Sequence, residues 1–109
     1  MSYLLIIYVP IDHAQAVKQA IFDAGAGQIG NYKHCCWTVV GQGQFMPCQG
    51  ANPYVGKLDK LQEQAELRIE CYCASEVVGP VVQALKAAHP YETPAFSLLP
   101  CHDITEVVT

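Results

Sequence analysis

The sequence predicts one ferredoxin-like α+β domain over residues 1–109, a four-stranded antiparallel sheet with two helices on one face. The chain is 51% hydrophobic and 15% charged, which suits a single globular core. Segments with strand or helix periodicity follow in the order strand, helix, strand, strand, helix, strand, and two such halves build this class of fold. No internal repeat or low-complexity tract interrupts that order.

The first strand and the first helix are predicted within residues 3–24. The stretch YLLIIYV, residues 3–9, is rich in β-branched and aromatic residues and ends at Pro10. Asp12 then offers an N-cap, and glycines at 25 and 27 close the helix. The helical spacing of apolar residues runs through Ala14, Val17, Ile21 and Ala24.

The middle of the chain predicts two further strands, over 32–41 and 65–74, around a glycine- and proline-rich loop region at 41–60. In that region only GQF, residues 43–45, is expected to be extended. Within 32–41, alternation places His34 and Cys36 on one face and Cys35 and Trp37 on the other. Within 65–74, the predicted inward row is Leu67, Ile69, Cys71 and Cys73, and the outward row is Glu66, Arg68, Glu70 and Tyr72.

The C-terminal part predicts the second helix from residue 75 or 76 and a last strand over 94–100. Pro80 fits this helix only in its first turn, where a missing N–H costs little. The residues expected to be buried are Val78, Val82, Leu85 and Ala88. His89 in the last turn would complement the negative helix end, and Pro90 would stop the helix.

Charge and cysteine usage restrict the class of partner. A net charge of −4 and a pI near 5.4 argue against nucleic acid, which requires a basic face. The N-terminal apolar run lacks the basic flank and cleavage site of a signal peptide and is too short to span a membrane. We therefore expect a cytoplasmic protein with no membrane association, and its six cysteines as free thiols.

Three motifs resemble one known family. They are GAGQIGNYKHCCWTVVGQGQF at 25–45, GANPYVG at 50–56 and AHPYETPAF at 88–96. The first two resemble the signature of the inserted domain of YqfO-type members of the NGG-interacting factor family, also called GTP cyclohydrolase I type 2-like. The third resembles that domain's ending and a similar ending in the CutA proteins. The resemblance covers residues 3–100 and implies a stand-alone PII/CutA-like domain, usually trimeric, that acts as a lid or sensing module.

The family's flanking halves hold a two-metal site and have no counterpart in these 109 residues, so we do not transfer an enzymatic activity. The glycine-rich segments 25–31 and 41–56 could cradle a small ligand, although tight turns that need positive φ explain them more simply. A cysteine–histidine dyad is disfavoured, because His34 and Cys35 are neighbours that point to opposite faces of a strand.

The candidate functional cluster is His34, Tyr91 and Glu92 at a subunit cleft, with Asn31 and Gly43 as further ligand-binding residues. His34, Cys35 and Glu92 are the candidate ligands for a divalent metal ion. Glu92 lies in a backbone stiffened by two prolines, and its structural alternative is an ion pair with Arg68 of a neighbouring subunit.

The function expected from these observations is a non-enzymatic regulatory or binding module, a homo-oligomer and most simply a trimer. Its loops would take a small molecule, a metal ion or a partner protein. Two alternatives stay open. One is a small enzyme that uses His, Cys or Glu groups at a subunit cleft, and the other is a cysteine-rich metal-binding protein.

Overall fold

Four strands and two α-helices make up residues 2–102, the part of the chain that the computed structural model describes. Their bounds are β1 Ser2–Pro10, α1 Ile11–Asp23, β2 Trp37–Phe45, β3 Gln62–Ala74, α2 Val78–Ala88 and β4 Phe96–Cys101. A 3-10 turn, Ser75–Val77, precedes α2. The predicted α+β class is confirmed, with the strands in the antiparallel order β2-β3-β1-β4. None of the described helices is long and apolar enough to cross a membrane.

The core lies between the sheet and the two helices. Leu5, Ile7 and Val9 of β1 are fully buried on the helix side, and Ile7 pairs with the buried Ile69 of β3. The residues that meet them from the helices are Val17 and Ile21 of α1, and Val81 and Leu85 of α2. Full burial of such a side chain stabilises the fold by roughly 1.5–3 kcal/mol, so this layer fixes the helices on one sheet face.

The opposite face of the sheet, here called the open face, carries no helix. Trp37 and Val39 of β2 are 69% and 49% exposed there. The central strands add Tyr8 and Arg68, which pair in register, and Arg68 Nε donates to Glu70 Oε1 at 2.8 Å. The predicted outward positions of Arg68 and Glu70 are therefore correct, and this face is partly apolar.

The hairpin of β2 and β3 extends beyond the rest of the sheet. Pairing between β1 and β3 ends at Glu66, whereas β3 continues to pair with β2 from Ala65 to Gln62. Residues 42–45 and 62–65 thus form a two-stranded extension, called the arm below. The arm contributes to the elongated dimensions of 52 × 24 × 22 Å.

The predicted start of the second strand at residue 32 is wrong, since β2 begins at Trp37. Backbone bonds divert the preceding loop: the Gly27 N–H donates to the Tyr72 carbonyl, and the Cys35 N–H donates to the Gly27 carbonyl. His34 adopts a positive φ of 60°, which a strand does not allow. The irregular region correspondingly begins at residue 46 rather than 41, because β2 extends to Phe45.

Both helices begin differently from the prediction. Asp12 is not the N-cap of α1, which begins at Ile11 directly after Pro10 and has no side-chain cap. Pro80 lies in the first turn of α2 as predicted. Val81 is buried in place of the predicted Val82, because Val81 lies four residues before the buried Leu85 and so on the same face of the helix.

Candidate functional site

Two loops lie side by side at the end of the sheet where β1 finishes. One is loop 46–61 between β2 and β3, and the other is loop 89–95 between α2 and β4. Glu92 Oε1 accepts a hydrogen bond of 2.9 Å from the Asn52 N–H, which joins the loops across forty positions of sequence. The Tyr91 ring lies 5.7 Å from that of Phe45 and 6.3 Å from that of Tyr54. The motifs GANPYVG and AHPYETPAF therefore meet in space.

A cavity of about 280 Å³ opens between these loops. Most of its wall is apolar or aromatic: Phe45, Pro47, Ala51, Pro53, Tyr54 and Val55. Its acidic lining groups are Glu66 and Glu92, its phenols are Tyr54 and Tyr91, and its lining contains no Lys or Arg. A largely apolar pocket with a few convergent polar groups is the usual form of a small-molecule site.

Tyr91 is held at the cavity by a hydrogen bond to Glu66. The phenol O–H donates to Glu66 Oε2 at 2.8 Å. Burial raises the pKa of Tyr91 well above its usual range, and the hydrogen bond and negative charge of Glu66 add to this shift. Tyr91 therefore stays protonated at neutral pH and acts as a hydrogen-bond donor, which makes it a poor nucleophile or base.

His89 supports Tyr91 from behind. Its Nε2 lies 2.7 Å from the Tyr8 carbonyl oxygen, and its Nδ1 accepts a 3.1 Å bond from the Tyr91 N–H. Only the neutral tautomer with hydrogen on Nε2 satisfies both contacts. Burial lowers the pKa of His89, although the Tyr8 carbonyl and the Glu66 charge partly oppose this. The predicted role at the helix end is thus wrong, because that role needs the cation.

Glu66 is the most enclosed charged residue of the described chain, at 9% exposure. Its carboxylate lies over the backbone of Gly43, where a Cβ would overlap Oε1 and lie 2.6 Å from Cδ. Glu66 also lines a second cavity of about 390 Å³ on the open face, together with Tyr8, Val39 and Arg68. Gly43 therefore belongs to the site because its missing side chain makes room for this carboxylate.

Sequence reasoning missed Glu66 as a site residue. Strand alternation placed it correctly on the face opposite the core, and that pattern normally means exposure to solvent. Its burial results from Tyr91, which arrives from another part of the chain, and from the bare backbone at Gly43. The one local sign of this burial is Gly43 on the neighbouring strand, and its meaning becomes clear once the register of β2 and β3 is known.

The remaining predicted site residues lie at the other end of the sheet. His34 stacks on Phe22 near the end of α1, with ring centroids 5.1 Å apart, and Asn31 and Cys35 belong to the same loop. This loop is bonded to Tyr72, which is about 20 Å along β3 from Glu66 at 3.3 Å per residue. Within one chain, His34 is therefore not brought together with Tyr91 and Glu92.

The predicted metal ligands His34, Cys35 and Glu92 are separated in the same way. Across residues 2–102, no three His, Cys, Asp or Glu side chains are grouped so that they could hold a metal ion. All six cysteines are free, as expected. Cys71 is buried, and burial raises its pKa to about 12, with Cys73 and Cys36 adding to the shift. Cys36 is exposed and lies in the loop directly before β2.

No protein-family model matches the chain. Curated relatives include the GTP cyclohydrolase 1 type 2 homolog of Mycobacterium leprae, 50% identical over 93 residues that make up 85% of this chain and 24% of the relative. The Bacillus subtilis protein of the same name is 38% identical over 96 residues, 88% of this chain and 26% of the relative. The chain thus spans about a quarter of the length of the curated relatives that it matches.

Comparison with solved structures agrees with the comparison with curated relatives. A Bacillus cereus protein related to NIF3 superposes with a TM-score of 0.80 and 36% identity, over 92% of this chain and 25% of that chain. The periplasmic divalent cation tolerance protein CutA of Archaeoglobus fulgidus superposes with a TM-score of 0.70 and 19% identity, over 98% of this chain and 91% of that one. The resemblance to the NGG-interacting factor family is confirmed for one segment of its members, and the chain shares the CutA fold.

Proposed function

We propose that this chain, a relative of one segment of the GTP cyclohydrolase 1 type 2 homologs, is a non-enzymatic binding module whose ligand occupies the cavity between loops 46–61 and 89–95. The observation that carries the proposal is the convergence of Tyr91 and Glu66 on an apolar cavity whose two loops are joined by the Glu92–Asn52 bond. These groups can bind and orient a small molecule.

Neither Tyr91 nor His89 can act as a general base at this site. Tyr91 keeps its proton at neutral pH, and the two nitrogens of His89 are occupied by backbone groups of Tyr8 and Tyr91. A general base needs a free lone pair directed at the substrate. The carboxylates of Glu66 and Glu92 remain as ligand-binding groups. Because carboxylate oxygens ligate divalent cations, a divalent metal ion is the second ligand that we propose to test here.

We further propose that the module is a homotrimer in which the open face of each subunit is buried against its neighbours. Trp37 and Val39 are exposed there with Tyr72 and Leu99, which is more apolar surface than a solvated face of a small domain requires. Arg68 was expected to pair with a carboxylate of a neighbouring subunit, yet it already bonds Glu70 of its own chain. The apolar side chains therefore give the interface its stability. We propose the cytoplasm as the compartment, where all six thiols would stay reduced.

Nuclear magnetic resonance tests the binding proposal directly. A set of aromatic fragments is added to ¹⁵N-labelled protein, and backbone amide shifts are followed. We expect at least one fragment to shift the amides of Gly43, Asn52 and Tyr91 together, while that of Asn31 at the far end stays unchanged. If no fragment or divalent ion shifts the first three amides, the proposal is refuted.

Replacing Glu92 with Gln separates binding from assembly. The amide oxygen of Gln can still accept the Asn52 N–H, so loops 46–61 and 89–95 should stay joined. We expect an unchanged oligomer mass in light scattering and weaker binding of any cationic or metal ligand. A smaller oligomer would instead indicate that Glu92 forms an ion pair across the subunit interface.

A further inference from the structure

We infer that the ligand of this cavity carries a cationic nitrogen, such as an amine or an amidine, on a flat apolar group. This inference rests on the proposed function and specifies the chemical class of the ligand. It depends on three features of the site: an enclosed carboxylate without a cationic partner, aromatic walls, and the absence of any positive charge in the lining.

Glu66 has no ion-pair partner among residues 2–102. The two ion pairs among residues 2–102 are Asp12–His13 and Arg68–Glu70, so no basic group there pairs with Glu66. Arg68 lines the neighbouring cavity with Glu66, but its guanidinium bonds Glu70 and Tyr8. Residues 103–109 contain no Lys, Arg or His. A carboxylate with so little solvent contact is costly unless it is paired and hydrogen-bonded. Here Tyr91 supplies one hydrogen bond, to Oε2, and among residues 2–102 no donor bonds Oε1, which keeps some contact with solvent.

Gly43 leaves room for the Glu66 carboxylate beside the cavity. The carboxylate occupies the space that a side chain at Gly43 would take, and Glu66 lines both the 280 Å³ cavity and its neighbour on the open face. An N–H donor that enters the 280 Å³ cavity can bond the Glu66 carboxylate where it lines the wall, while Tyr91 keeps its bond to Oε2. A charged donor is favoured, because a hydrogen bond between two charged groups is about twice as strong as a neutral one.

The walls suit the rest of such a ligand. The rings of Phe45 and Tyr54 flank Tyr91 at 5.7 Å and 6.3 Å, which leaves aromatic surface for a flat apolar body and for cation–π attraction. The cavity lies near the small end of the usual range of roughly 300–1,000 Å³, so it fits one ring with a short substituent.

Anionic ligands fit poorly. A phosphate or carboxylate ligand would meet Glu66 and Glu92, with no Lys or Arg in the lining to offset the repulsion. The net charge of −4 also favours the approach of cations over anions. A Lys or Arg side chain from a second copy of the chain offers the same chemistry as a free amine or amidine, and the experiment has to distinguish the two sources.

Three probes of nearly equal shape provide the test: benzamidine is a cation, benzamide is neutral and benzoate is an anion. Each is titrated into the full chain at neutral pH while the amides of Gly43, Asn52 and Tyr91 are followed. We expect benzamidine to bind about tenfold more tightly than benzamide, a difference of about 1.4 kcal/mol, and benzoate not to bind. Glu66→Gln keeps an acceptor for the Tyr91 hydroxyl and should remove most of this preference.

Glu63→Gln is the matched control, since Glu63 lies on the same strand, is exposed and bonds Gln42 outside the cavity. It should bind all three probes as the unmodified chain does. Equal binding of benzamidine and benzamide would overturn the cationic inference while leaving the binding proposal intact, whereas no shift with any probe would count against both. If Glu66→Gln lowers the oligomer mass and benzamidine does not bind, a neighbouring subunit supplies the cation and the inference fails.

Discussion

Replacing Gly43 with Ala tests whether the bare backbone at this position maintains the site. The φ angle of Gly43 is not positive, so Ala can adopt its backbone conformation, and the conflict is with the Glu66 carboxylate alone. That carboxylate would have to move away and lose the Tyr91 hydroxyl. A hydrogen bond to a charged group contributes about 1.5–3 kcal/mol, whereas Ala gains about 0.5–1 kcal/mol over Gly in a strand. We expect the free energy of unfolding to fall by about 1–2 kcal/mol.

Urea denaturation followed by circular dichroism measures this change, with Gly41→Ala as the control. Gly41 lies on the same strand and the same face, and a Cβ there would meet nothing within 4 Å. Gly41→Ala should leave stability unchanged or raise it by less than about 1 kcal/mol. If the two variants have the same midpoint and slope, the contact between Gly43 and Glu66 does not stabilise the fold and our reasoning about the site is refuted.

Three further predictions follow from the described contacts. Stability should decrease as pH falls below about 6.5, the ordinary pKa of histidine, because burial lowers the pKa of His89 and the unfolded chain therefore binds the proton more readily. Urea midpoints at pH 8 and pH 5 should differ less in His89→Gln, and an equal difference would contradict this. In thiol titration of the native protein, Cys36 should react fast and Cys71 only after unfolding, because burial raises the pKa of Cys71 to about 12; fast reaction of Cys71 would be inconsistent with its burial. Light scattering should give a trimer mass, and Trp37→Asp should yield monomers; a wild-type monomer at micromolar concentration would reject the trimer.

The sequence was sufficient for the fold because each element has a strong local pattern. The run at 3–9, the alternation at 65–74 and the helical spacing from Ala14 to Ile21 are matched by β1, β3 and α1. The start of β2 was not predictable, because residues 32–36 alternate like a strand. They lie outside the sheet, because the Cys35 N–H donates to the carbonyl of Gly27 in an earlier part of the loop. Strand alternation does not reveal such a contact.

The site was predicted only in part, for a related reason. AHPYETPAF suggested Tyr91 and Glu92, since those residues had no evident structural role between the two prolines. Their contacts are with Glu66 and Asn52, and each pair is set by tertiary packing of segments at least 25 positions apart. The sequence pattern groups Tyr91 and Glu92 with His34, since both motifs contain potential ligand-binding side chains. It does not reveal that the length of β3 separates them.

The arm gives the site a mechanical property. β1 stops supporting β3 at Glu66, so the arm is joined to the sheet at the residue that also forms the floor of the cavity. Phe45 belongs to the arm, whereas Ala95 is bonded to the sheet through the Tyr8 N–H, which donates to its carbonyl. Any tilt of the arm therefore changes the width of the cavity. A ligand that binds more tightly at one width therefore stabilises the corresponding position of the arm. By thermodynamic linkage, holding the arm in that position strengthens ligand binding by the same free energy.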